Sequence, residues 1–301
     1  FVAGGQRMFL NTGLLIQAQT PEQVQGVIAH EAGHISGGHL ARLQDELRNA
    51  ELKSILSMII GTAAGLAARD GRVAGAIISG GSQAAFADLL KYSRTQESSA
   101  DAAGLKYLDA TGTSARGMRE FFELLQREMR VTGGREHPYL SSHPLTNERI
   151  TTVESHLAFS RYANTPTPPE LARKHAMMRA KLIGFLEPLP NTLKAYPPSD
   201  NSIPARYARA IGFYQQSDLN RAIPLIDGLI ADEPENPYFY ELKGQMLLEN
   251  GRVQESLAPY QRMVDLAPGE PLLRSALAKA QVETGDPALL EDALSNLLVA
   301  T

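Results

Sequence analysis

The chain has 301 residues, enough for one large domain or two ordinary ones. Hydrophobic residues make up 43% and charged residues 21%, which excludes a disordered, fibrous or wholly membrane-embedded chain. The net charge of -4, with no Lys/Arg run, argues against nucleic acid as a main partner, and the absence of Cys excludes a disulfide scaffold, a thiol nucleophile and a Cys-ligated metal. A metal would have to be held by His, Asp and Glu. Zero Cys suits any compartment. The chain begins at Phe1, which reads as a processed or trimmed product, so no signal peptide is sought within it.

In chain order, the apolar residues 8–16 predict a short strand with a turn at 11–13. A helix follows over 21–48. Thr20 is a good N-cap, Pro21 suits the first helical position, and Gln23 completes a capping-box pattern. Gly33, Gly37 and Gly38 weaken this helix and permit close approach of other segments. Two uncharged stretches, 54–68 and 73–87, are 15 residues each and predict a helical hairpin turning at 69–72. Each is shorter than the roughly 17–25 residues of a membrane span. Helices are expected again over 88–109, from a Ser114 cap to about Arg130, over 146–159 and over 170–186.

Five prolines between 187 and 204 make that segment the expected linker between domains 1–186 and 205–301. Beyond it Pro234 and Pro268, Ala210 and Gly244, Tyr214 and Leu248, and Ile223 and Leu257 each stand 34 residues apart. That period is the tetratricopeptide pattern of paired stacking helices, with a degenerate third unit from about Leu272 to Leu298.

The chemistry is concentrated in His30-Glu31-Ala32-Gly33-His34. Residues four apart share a helical face, so both imidazoles can reach one metal ion, and Glu31 beside them can take a proton from water. A catalytic zinc usually takes a third protein ligand. His39 stands one residue short of the spacing that would supply it from the same segment. One residue turns a helical side chain by about 100°, so His39 is expected to make a structural hydrogen bond near the helix end. Glu97 is the better candidate. In Glu97-Ser-Ser-Ala-Asp101 two carboxylates share a helical face: Glu97 can ligate, and Asp101 can accept a hydrogen bond from the far nitrogen of a ligand His.

These motifs, with Thr12-Gly13 ahead of the helix and Ser142-His143-Pro144 followed by Glu148-Arg149-Ile150, resemble the HtpX/BepA-like zinc metallopeptidases over roughly residues 1–155. These are gluzincins related to the CAAX prenyl proteases. The resemblance implies a mainly α fold: a gluzincin-type metallopeptidase domain with a small edge β element, then an α-helical tetratricopeptide solenoid. It implies one Zn2+ per chain on His30, His34 and Glu97, with Glu31 as the base and the His143 segment lying over the active site. The repeats point to the BepA-like periplasmic branch and to outer-membrane protein quality control. The implied partners are unfolded or misassembled protein substrates, with outer-membrane assembly proteins recruited by the repeats.

Some roles stay open at the level of sequence. His143, Tyr139 or Arg149 could donate to the oxyanion of a tetrahedral intermediate. His143 could instead occupy the open zinc position and hold the enzyme latent, with His137 a weaker candidate, and Arg149 could be a salt-bridging residue. His156 and His175 are assigned no role. The 54–87 hairpin either packs in the peptidase core or contacts a membrane surface or partner. The competing functions are a tetratricopeptide chaperone or adaptor with a latent zinc site, and a prenyl-protein protease.

Overall fold

The computed structural model describes residues 2–3, 6–68, 71–132 and 143–300. Two compact units make up the chain, Phe1–Ala172 and Arg173–Thr301. In the first, strands β1 (Val2–Ala3) and β2 (Arg7–Met8) pair antiparallel, with Val2 opposite Met8. Helices α1 (Thr12–Gln17) and α2 (Pro21–Ser36) follow, then α3 (His39–Ala68), α4 (Gly71–Ala110), α5 (Arg116–Thr132) and α6 (Asn147–Phe159). The chain is therefore mainly α with a small edge β element, as expected.

Three local expectations need correction. The apolar run 8–16 is strand only at its first residue, and from Thr12 it is helix. A short apolar run does not by itself separate a strand from a buried helical turn. The helix expected over 21–48 is two helices, broken where Gly38 takes φ +61, a left-handed conformation that costs glycine little. The capping box is also displaced. Thr20 makes no side-chain cap, and Gln23 Oε1 accepts the Gln19 N–H at 2.8 Å.

Helix α2 lies against α4 and α5, and glycines set the spacing. A Cβ on Gly26 would stand 2.8 Å from Met118 Cα, and one on Gly33 would stand 2.8 Å from Ala100 Cα. Around this contact Val27, Leu105, Leu108, Met118, Phe121, Phe122, Leu125 and Val153 form the apolar core. Helix α6 starts at Thr146, whose hydroxyl accepts the Arg149 N–H, as an N-cap should. Helices α3 and α4 form the hairpin around the two uncharged stretches. Ile55, Leu56, Met58, Ile59 and Ile60 on α3 are exposed. Among the described residues no helix is long and apolar enough to cross a membrane.

The second unit takes in α7 (Pro169–Leu186) from Arg173 on, α8 (Leu189–Ala195), α9 (Ile203–Tyr214), α10 (Leu219–Asp232), α11 (Pro237–Glu249), α12 (Val253–Leu266), α13 (Pro271–Glu283) and α14 (Leu290–Ala300). Starts recur every 34 residues: Ile203, Pro237 and Pro271 in one series, Leu219 and Val253 in the other, with a 3-10 turn from Pro287 next in step. Met177, Ala180 and Phe185 of α7 belong to the core built around Tyr207, Ile211, Ile226 and Phe239. The unit therefore begins ahead of the Pro-rich segment, and part of that segment is the helix α8. Three of its five prolines sit at helix starts, where a missing N–H is harmless: Pro188 caps α8, and Pro190 and Pro204 lie in the first turns of α8 and α9.

Candidate metal centre

Helix α2 presents His30 and His34 one turn apart, and α4 presents Glu97 and Asp101 one turn apart on the facing side. Because Gly33 meets Ala100 backbone to backbone, the two pairs are pressed together. His30 Nε2 lies 3.0 Å from His34 Nε2 and 3.3 Å from Glu97 Oε2, and His34 Nε2 lies 3.2 Å from Glu97 Oε1. His143, just ahead of α6, adds a third nitrogen and a fourth candidate ligand atom. Its Nδ1 is 3.1 Å from Glu97 Oε1 and 3.4 Å from His30 Nε2.

These distances allow a test of fit. Zinc bound to imidazole nitrogen or carboxylate oxygen at about 2.0–2.1 Å in a tetrahedron sets its ligand atoms about 3.3 Å apart. The five separations, 3.0–3.4 Å, cluster around that value. Two imidazole lone pairs facing each other at 3.0 Å also repel unless a proton or cation lies between them. The four side chains, with ligand atoms within 4.8 Å of one another, therefore suit a four-coordinate divalent cation of the zinc type.

The surroundings fix the candidate ligands. His30 Nδ1–H donates to Asp101 Oδ1 at 2.7 Å, which turns Nε2 toward the cluster. Arg149, from the first turn of α6, is almost wholly buried. Its Nε and Nη2 donate to the two oxygens of Asp101 at 2.6 and 2.9 Å, and Nη1 reaches Glu97 Oε2 at 2.8 Å and the Pro144 carbonyl at 2.9 Å. The guanidinium also stacks over Phe122, 4.9 Å from the ring centroid. Burial opposes ionisation of Glu97, yet hydrogen bonds from His143, His30 and His34 hold its carboxyl well below the usual carboxylate range. Burial likewise works against the charged form of His30, but Asp101 and Glu97 outweigh it and raise the imidazole above its ordinary value.

All seven residues singled out from the sequence converge here: His30, Glu31, His34, Glu97, Asp101, His143 and Arg149. Glu31 is fully buried, with Oε1 3.4 Å from His143 Nε2. His143 stands at the fourth corner of the cluster, the geometry of the latent alternative. Arg149 has its donors committed to carboxylates and a carbonyl, the geometry of the salt-bridging alternative. His137 and Tyr139 lie outside the described residues. His156 pairs with Asp109 at 3.2 Å and His175 lies on α7, neither of them in the cluster. His39 makes a hydrogen bond near the helix end, as expected, but its partner was not legible from sequence: buried His39 places Nδ1 2.9 Å from His34 Nδ1. The adjacent Gly37-Gly38 pair, read as a helix break, is the signal that could have found it.

Residues 1–157 match peptidase family M48, and residues 207–271 match a tetratricopeptide repeat family. Two relatives are named beta-barrel assembly-enhancing protease. That of Yersinia pestis is 23% identical over 96% of this chain and 59% of its own length, and that of Escherichia coli is 24% identical over 95% and 59%. The metalloprotease YcaL of Escherichia coli is 30% identical over 48% of this chain and 52% of its own length. The chain spans about half to three fifths of the length of the curated relatives it matches. A match that runs over more than half of the chain and takes in the whole His and carboxylate cluster shows that the chain belongs to peptidase family M48, with tetratricopeptide repeats after the peptidase region.

Proposed function

We propose that the chain is a zinc-dependent endopeptidase of unfolded or misassembled proteins, held latent by His143. The observation that carries this reading is the convergence of His30, His34, Glu97 and His143 on one point, with Glu31 beside it. Bound there, zinc would supply Lewis acidity and a water of lowered pKa. His30, His34 and Glu97 are the proposed ligands, and Asp101 keeps His30 in the ligating tautomer. Glu31 takes a proton from the attacking water and passes it to the leaving amine. Arg149 neutralises the two buried carboxylates, the ligand Glu97 and Asp101 behind His30, and, through the Pro144 carbonyl, ties the His143 segment to them.

While His143 fills the fourth position, a substrate carbonyl has no place to bind. Activity then requires the 143–144 segment to swing away. The relatives' names, beta-barrel assembly-enhancing protease, support a role in beta-barrel assembly, and outer-membrane protein quality control in the periplasm is the setting proposed for it. The repeats would recruit substrates or assembly partners. The exposed apolar residues of the 54–87 hairpin favour the contact reading of that element, toward a membrane surface or partner protein.

The seated His143 also favours a second reading, in which the repeats act as a chaperone or adaptor and the metal site is silent. Cleavage of an unfolded protein by the zinc-loaded chain separates them. His143→Ala should cut at least about tenfold faster than wild type, and adding Glu31→Gln should abolish the gain. A zinc-loaded His143→Ala protein that cuts nothing would leave the adaptor reading standing.

A further inference from the structure

His39 lies past the helix break and is nearly inaccessible, 5% exposed. Its Nδ1 is 2.9 Å from Nδ1 of His34, and the two rings meet edge to face with centroids 5.0 Å apart. The other ring nitrogen of His34 is the one that faces His30 and Glu97. For that Nε2 to offer a lone pair to a cation, the proton of His34 must sit on Nδ1. Between two Nδ1 atoms one donates and one accepts, so His39 must accept there and carry its own proton on Nε2.

Two further observations show that this contact is built. The backbone of Gly37 is ordinary right-handed helix, φ -73 and ψ -11, so the conformation does not demand glycine. A Cβ at that position would stand 2.7 Å from Cδ2 and 2.8 Å from Cε1 of the His39 ring. The missing side chain is the space the ring occupies. The carbonyl of His39 also accepts the Gln96 side-chain N–H at 3.1 Å, which ties the turn to the residue before Glu97.

We infer that His39 is a positioning residue for the metal centre: it accepts the Nδ1–H of His34 and so fixes the tautomer and ring plane of that ligand, as Asp101 does for His30. The two imidazoles would then be backed differently, one by a buried carboxylate and one by a neutral ring, which adds no charge beside His34. This deepens the metal-site reading above and rests on it.

The test is a zinc competition titration against a chromogenic chelator on the full chain, with wild type, His39→Asn, His39→Gln and Gly37→Ala. Asn places its amide oxygen where Nδ1 stood, whereas Gln carries the acceptor one atom further out. His39→Asn should stay within a few fold of wild type, while His39→Gln and Gly37→Ala should lose about 10–100-fold in affinity. Combining Gly37→Ala with His39→Gln should lose no more than His39→Gln alone, because both act through one contact. Long-range proton–nitrogen spectra of the zinc-loaded wild type should show a slowly exchanging His34 Nδ1–H that is lost in His39→Gln. Equal affinity in the Asn and Gln variants, with His34 Nδ1–H protected in both, would overturn the positioning role and leave the metal site intact. A wild type that binds no zinc would overturn the metal site itself and this inference with it.

Discussion

Arg149 shows how single side chains hold the site. Glu97 and Asp101 are buried carboxylates, and one guanidinium answers both, in a fork to Asp101 and with its remaining nitrogen to Glu97. Removing one partner of a buried ion pair leaves the other uncompensated, which costs about 3–5 kcal/mol. Arg149→Met should therefore destabilise the metal-free chain by about that much in denaturant titration. Arg149→Lys should recover only part, since an ammonium cannot reproduce the fork. A loss below about 0.5 kcal/mol, the range of neutral surface changes, would refute this account. The acid limb of stability follows from the same contacts. Burial opposes the Asp101 carboxylate, but hydrogen bonds from His30 and Arg149 hold its pKa below the ordinary 3.8. Its contribution is then fully present above that value and is lost as pH falls below it. Metal-free wild type should lose stability more steeply than Arg149→Met below about pH 4.

At the scale of elements, the site depends on how closely α2 approaches α4. Gly33 stands between His30 and His34, and Ala100 between Glu97 and Asp101. A methyl group on Gly33 would run into the Ala100 carbonyl oxygen and come within 2.8 Å of its Cα, and backbone cannot rotate away. Gly33→Ala gains about 1 kcal/mol of helix propensity, yet it should lower stability by about 1–3 kcal/mol through overpacking. It should also weaken zinc binding by driving His30 and His34 away from Glu97. A melting temperature raised by the substitution, with zinc affinity unchanged, would show that the helices have slack. The motif itself was readable because His30, His34, Glu97 and Asp101 each repeat at one helical turn, which is local geometry. Less was readable where the chain bends. The turn of about 100° per residue that sets His39 off the ligand face applies along an unbroken helix. Gly38 breaks that helix, and the turn brings His39 back onto His34 by a route that no residue spacing encodes. His143 and Arg149 were visible as residues. Sequence spacing does not say where their nitrogens point, and the distances around them are what support the roles proposed above.

At the scale of the molecule, the 34-residue period was legible because repeated helices place small and large residues at repeated positions. The start of the second unit was less so, since prolines that open helices resemble prolines that make linkers. Each unit has an apolar core of its own, and the proposed metal ligands all belong to the first, on α2, α4 and the approach to α6. Zinc that binds only the folded site stabilises by mass action, about 2.7 kcal/mol at a concentration one hundred times its Kd. For a unit of this size 1 kcal/mol moves the melting temperature by roughly 2–4 °C, so the expected shift is about 5–11 °C. Hydrogen exchange can locate that stabilisation segment by segment. Adding a chelator to the zinc-loaded chain should accelerate exchange in Pro21–Ser36, in the part of α4 around Glu97 and in the first turn of Asn147–Phe159, while Leu219–Asp232, Pro237–Glu249 and Val253–Leu266 keep their rates. Uniform acceleration through the repeats would mean that the two units unfold as one. Unchanged rates throughout, at a zinc concentration that saturates the competition titration, would mean that the metal does not sit on these ligands.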